Sequence, residues 1–158
     1  MKFSYRPDVD GLRAIAVISV ILYHSNILIF GKDLFKGGFI GVDIFFVISG
    51  YLISSIIIEE ISKTNDFSFL YFFERRIRRI IPVLLLVILI TSIFAFKYML
   101  PWNFIDYANS IIYTLFFGSN IFFYNTEIIY HALDAKTKPL LHTWSLSIEE
   151  QFYIFFPF

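Results

Sequence analysis

Leu12-Arg13-Ala14-Ile15-Ala16-Val17-Ile18-Ser19-Val20-Ile21-Leu22-Tyr23-His24 opens an apolar run that continues through Ser25 and Asn26 to Phe30, and its reading decides the fold. Taken as a helix, Arg13 and His24 are separated by about three full turns plus roughly 20°. They therefore share one face, about 16 Å apart along the axis. Almost everything between them is apolar. A cation and an imidazole on such a helix are costly in lipid, and side chains of this kind inside a span point to function.

The remaining composition agrees with a membrane setting. At 158 residues, 58% hydrophobic, 21% aromatic and with a mean hydropathy of +0.70, the chain has more apolar surface than a small soluble domain could bury. A net charge of zero argues against a nucleic-acid partner. The absence of cysteine excludes disulfides, thiolate nucleophiles and cysteine-ligated metals. His24, His131 and His142 are scattered without ligand spacing, so no metal site is expected.

Read in order, the chain gives an all-α, polytopic bundle of about four complete spans and the start of a fifth. Breakers at Arg6-Pro7-Asp8 and Asp10-Gly11 set the first helix to begin near Leu12. Phe39 to Ile58 is the second run, marred by Asp43. Glu59 to Arg79 reads as a charged connector, and Ile80 to Phe96 as the third run, with Pro82 in its first turn. Ile105 to Phe123 is a weaker fourth run, and a fifth restarts at Trp144. That last run stops short of the roughly 20 residues a span requires, so the chain reads as the N-terminal part, residues 1–158, of a larger membrane domain truncated at its C-terminus. With alternating sides, ten lysines and arginines fall on the side of the N-terminus and three (Lys32, Lys36, Lys97) on the other, which predicts a cytoplasmic N-terminus.

Four groups of residues could carry chemistry. His24 and Asp43 are expected at similar depth in an antiparallel hairpin, where a carboxylate would fix the imidazole tautomer and raise its basicity. The plainer reading is a structural pair joining two helices. Gly37, Gly38, Gly41 and Ser49-Gly50 read as close helix packing. Arg75, Arg76, Arg78 and Arg79 read from composition as a topology signal and headgroup anchor, with a phosphate cradle as the sharper alternative. In Pro139 to Tyr153, Ser145 and Glu149 share a helix face, Thr143 or Ser145 suits an N-cap, and His142, Trp144 and Gln151 are left over by capping.

Together these stretches resemble the acyltransferase-3 family. The resemblance rests on Asp10-Gly11-Leu12-Arg13-Ala14 through His24, on Gly41 to Ile53, on Phe73-Glu74-Arg75-Arg76-Ile77-Arg78-Arg79-Ile80-Ile81-Pro82, and on His142 to Tyr153. It implies an integral membrane O-acyltransferase of the bacterial inner membrane, about ten spanning helices in all, of which this chain is the first half. The donor would be cytoplasmic acyl-coenzyme A, commonly acetyl-coenzyme A and not tightly bound, and the acceptor a hydroxyl of peptidoglycan, lipopolysaccharide or exopolysaccharide. Arg13 and His24 would be the functional pair, with His24 as base or transient acyl carrier and Asp43 or Glu149 as its activating carboxylate. Arg75, Arg76, Arg78 and Arg79 would hold the donor's phosphates. Other partners implied are membrane lipids and the missing C-terminal half of the bundle. The same residues also fit two rival readings: a helical transporter in which His24 and Asp43 relay protons or bind a solute, and an inactive truncated chain that only inserts.

Overall fold

The computed structural model describes residues 6–25, 27–29, 32–33, 35–130 and 137–156. These form α1 (Pro7–His24), a two-residue antiparallel ladder of β1 (Leu28–Ile29) and β2 (Lys32–Asp33), then α2 (Ile40–Thr64), α3 (Phe69–Tyr98), α4 (Pro101–Leu115), α5 (Ser119–Tyr130) and α6 (Thr143–Phe155). The chain is thus essentially all-α. It divides between Asn65 and Asp66 into two compact units. Among the described residues, two helices, α2 and α3, are long and apolar enough to cross a membrane, so the expected four complete spans are not confirmed by length and composition.

In the first unit α1 is shifted toward the N-terminus relative to the sequence expectation. Pro7 occupies the first turn, where its missing N–H is harmless, and Asp8 and Asp10 lie in that turn, where the helix dipole favours them. What read as breakers therefore starts the helix. The α1–α2 hairpin is drawn together by small residues. A Cβ on Gly41 would collide with the Ala16 carbonyl and come within 2.8 Å of Val20, and one on Gly38 would collide with the Ser19 carbonyl and come within 2.7 Å of Tyr23. Ala16 is correspondingly sealed. Gly37 and Gly50, grouped with these by sequence, face open space.

α2 extends to Thr64 because Glu59 and Lys63 form an i,i+4 pair on its last turns. Asn65, in the left-handed region at φ 56°, ends it. The second unit then begins at once, since α3 starts at Phe69. The charged connector of the sequence reading is therefore mostly helix, carried through by a second i,i+4 pair, Glu74 with Arg78 at 2.7 Å. Pro82 consequently lies in the helix interior rather than its first turn, and its missing N–H leaves the Arg78 carbonyl without the usual helical donor.

The fourth apolar run is not one helix. At Phe116-Phe117-Gly118 the backbone reverses: Phe117 takes φ 53° and Gly118 N–H donates to the Tyr113 carbonyl at 2.7 Å. α5 then runs back along α4, with Tyr113 packed on Phe122 at 5.0 Å between ring centres. Leu84, Ile88, Ala95, Tyr107, Phe123 and Leu140 form the core of this unit. The Tyr107 hydroxyl ties α4 to α3, lying 2.8 Å from both the Thr91 and Ser92 hydroxyls.

Candidate functional site

The hairpin fixes the level of each candidate in the first unit. Gly38 meets Ser19 and Tyr23, Gly41 meets Ala16 and Val20, the Arg13 guanidinium lies over the Phe45 ring at 5.4 Å, and Arg6 donates to the Tyr51 hydroxyl at 3.1 Å. Arg13 and His24 do share the α1 face that helical geometry assigns them. The two cannot touch, being about 16 Å apart along the axis.

His24 and Asp43 are not brought together. Asp43 follows Gly41 by two residues, about 200° round the helix, so it is turned away from α1 and is exposed. His24, the last residue of α1 and in edge contact with Tyr23, lies above Gly38, roughly 10 Å along the hairpin axis from Asp43. The expected pairing fails because it measured depth from the ends of the apolar runs, whereas α1 already stops at His24.

In the second unit the four arginines separate. The i,i+4 row through Phe72, Ile80, Leu84 and Ile88 faces inward, and Arg76 stands on it. Its guanidinium stacks on the Tyr153 ring at 3.4 Å and pairs with the Glu150 carboxylate at 3.3 Å, with Glu150 only 6% exposed. Arg78 pairs with Glu74 at the surface. Arg75 lies over the Tyr71 ring at 4.3 Å and, with Arg79, is exposed on one face one turn apart.

Glu149 is half-buried and accepts the Tyr153 hydroxyl. Ser145 does not join it; its hydroxyl donates back to the His142 carbonyl at 3.1 Å, and the Thr143 hydroxyl donates to the Leu140 carbonyl at 2.7 Å. Neither hydroxyl caps α6, whose N-cap position is His142. Trp144 lines a groove of about 520 Å³ with Ile121, Tyr124, Leu141 and Ile148. His131 falls outside the described residues.

Sequence reasoning missed Glu150 and a buried polar network at the inner turn of α4 and α5. Ser119 and Ser147 share a hydroxyl contact of 2.7 Å, and the Thr143 hydroxyl lies 3.0 Å from Ser119 and 3.2 Å from Thr114. Gln151 Nε2 donates to the Phe117 carbonyl at 2.8 Å and to Asn120 Oδ1 at 2.9 Å, and Asn120 returns a bond to Gln151 Oε1. The signal was present as the i,i+4 row Thr143, Ser147, Gln151.

These features define an apolar, helical protein with a cation–imidazole face on its first helix and a basic turn at the start of its third. The chain belongs to the acyltransferase-3 family: the family model, described as an acyltransferase domain, matches residues 6–158. It is 42% identical over 153 residues to the O-acetyltransferase OatA of Staphylococcus aureus (strain NCTC 8325 / PS 47), covering 97% of this chain and 24% of that protein. It is 41% identical over 156 residues to SAS0844 of S. aureus (strain MSSA476), provisionally named an O-acetyltransferase, covering 99% of this chain and 25% of that one. The chain thus spans about a quarter of the length of the curated relatives it matches. No solved structure matches it.

Proposed function

We propose that this chain is the N-terminal part of a multi-pass membrane O-acetyltransferase, taking acetyl from cytoplasmic acetyl-coenzyme A and delivering it to a hydroxyl of a cell-surface carbohydrate. The observation that carries the reading is the α1 face bearing Arg13 and His24, in a chain that matches the family model over residues 6–158. The O-acetyltransferase names of the relatives support the group transferred.

His24 is the reacting group in this proposal. As a base it takes the proton of the acceptor hydroxyl while that oxygen attacks the acetyl carbonyl; the carbonyl carbon–sulfur bond breaks and coenzyme A leaves as a thiolate that is then protonated. As a nucleophile it carries the acetyl between donor and acceptor, a role suited to substrates on opposite sides of a membrane. Arg13 acts at the other end of the same face, where its cation suits the anionic donor. Asp43 is not assigned as the activator of His24, given its level and face on the hairpin.

The N-terminus is placed in the cytoplasm on the lysine and arginine bias. With α4 and α5 folded back on each other, Lys138 lines the cleft of Met99 and Asn103 rather than lying on the Arg75 side. Moving it together with Lys136, two residues before it in sequence, turns ten against three into eight against five, the same sign. The test is acetyl transfer in membranes by the intact protein. His24→Ala is expected to abolish transfer with membrane insertion unchanged; transfer at the parental rate would remove His24 from the mechanism.

A further inference from the structure

Resting on the role given to His24 above, we infer that Tyr23 is a positioning residue for that imidazole: its ring, held between α1 and α2, fixes how His24 is presented to the substrates. Side chains at i and i+1 leave a helix about 100° apart and do not normally face each other. The Tyr23 and His24 rings nevertheless meet edge-on, with centroids 5.0 Å apart and planes at 73°. That is an arrangement in which aromatic rings attract one another. His24 is the last residue of α1, so no further turn of its own helix flanks it, and it is exposed. An accessible imidazole at a helix end needs a neighbour to set its orientation, and the Tyr23 ring supplies one.

Tyr23 is itself fixed from the side of α2. A Cβ on Gly38 would come within 2.7 Å of the Tyr23 Cβ, so the root of this side chain lies against the backbone that leads into α2. Its ring then meets Phe39, the N-cap residue of α2, at 5.9 Å between centroids with planes at 70°. Leaving this rotamer would break the contact with Phe39 as well as the one with His24. The close approach at Gly38 is thereby passed on to the imidazole, since the turn that brings Phe39 against Tyr23 also sets the ring on which His24 rests. Both contacts are made by the ring and neither calls on the hydroxyl.

The test reads turnover and the imidazole separately in the intact protein. Tyr23→Leu is expected to lower kcat at least about tenfold, because displacing a reacting group by about 1 Å can cost about a hundredfold, and to keep the KM for acetyl-coenzyme A within about twofold. Tyr23→Phe keeps the ring and is expected to hold kcat within about twofold of the parent. Phe39→Leu, at an exposed position, is expected to lower kcat by a smaller factor and takes the place of Tyr23→Leu should that variant not fold. The ring-proton resonances of His24, identified by their loss in His24→Gln, are expected to shift in Tyr23→Leu and to stay in place in Tyr23→Phe. Resonances that do not move in Tyr23→Leu, or in Phe39→Leu where it stands in, overturn the inference whether or not the protein transfers acetyl. A folded Tyr23→Leu variant with the parental kcat would overturn it as well. So would a Tyr23→Phe variant as slow as Tyr23→Leu, which would make the hydroxyl rather than the ring the working group. Parental transfer by His24→Ala would overturn both the role of His24 and the catalytic use of Tyr23, and the resonances tell that outcome apart from a failure of the ring contact.

Discussion

The two units of the chain handle polar side chains in opposite ways. The α1–α2 hairpin closes on glycine and alanine, with backbone meeting backbone at Gly38, Gly41 and Ala16, and leaves Asp43 and His24 exposed. The α3–α6 unit draws its polar groups inside: Ser110, Thr114, Ser119, Ser147 and Glu150 are all buried. Close backbone packing at these three positions needs no charged partner, so Asp43 is not drawn into the α1–α2 contact. The second unit uses its polar groups for cohesion, and every one it buries must be satisfied. An ionisable residue is thus stronger grounds for chemistry in the first unit than in the second.

The largest effect expected from this contrast is at the Arg76–Glu150 pair. Glu150→Ala leaves the partly buried Arg76 guanidinium without its carboxylate, a loss toward the lower end of the about 3–5 kcal/mol for breaking a buried pair. Thermal unfolding of the purified protein in detergent should show it. An unchanged midpoint would mean that Arg76 finds solvent without cost and that the second unit is not held by its buried charges.

The hairpin should break through volume instead. Gly41→Val would drive side-chain atoms into the Ala16 carbonyl, at the upper end of the about 1–3 kcal/mol typical of overpacking because backbone cannot yield as a side chain can. Gly50→Val, facing open space on the same helix, should change stability by less than about 0.5 kcal/mol. Equal melting shifts for the two variants would show that the hairpin is not set by close approach at Gly41.

How much of this was legible in the sequence follows the same divide. Gly38, Gly41, the shared face of Arg13 and His24 and the apolar body of α2 were readable, because hydropathy and small-residue placement are local. The helix-continuing pairs Glu59 with Lys63 and Glu74 with Arg78 were readable too, but a charged stretch between apolar runs invites the label of connector. The break at Phe116-Phe117-Gly118 was not, since two aromatics sustain the hydropathy of the run while Gly118 alone marks the turn. Nor could one sequence choose between adjacent Glu149 and Glu150. They differ by about 100° in direction, and only the face of α6 that meets α3 decides which is buried.

A smaller effect is expected where the second unit uses neutral groups. Gln151→Leu removes the donor to the Phe117 carbonyl and both bonds of the amide pair with Asn120, a loss of about 1–3 kcal/mol with two part-buried acceptors and the Asn120 donor left without these partners. Because Phe117 sits at φ 53°, the turn joining α4 to α5 should loosen first. Proteolysis of the intact protein should cut earlier near Phe116–Gly118 in this variant, and Phe117→Gly should restore resistance by removing the conformational cost. Cleavage unchanged by Gln151→Leu would show that the turn holds without α6.

The smallest expected effect lies at the exposed start of α1. The Arg6 guanidinium, hydrogen-bonded to Asp8 at 2.6 Å, holds that carboxyl down at about 2 rather than its ordinary 3.8. With the folded value depressed, the stabilisation is fully present above the ordinary value and is lost as pH falls through about 2. Both groups are open to solvent, so salt screens the pair and the contribution to folding is minor. The carboxyl resonance of Asp8 followed by NMR should titrate near the depressed value and move up toward the ordinary one in Arg6→Gln. If it titrates in the ordinary range in both proteins, Arg6 does not hold Asp8 in solution. The first turn of α1 would then rest on Pro7 and the helix dipole, with Arg6 still free to donate to the Tyr51 hydroxyl of α2.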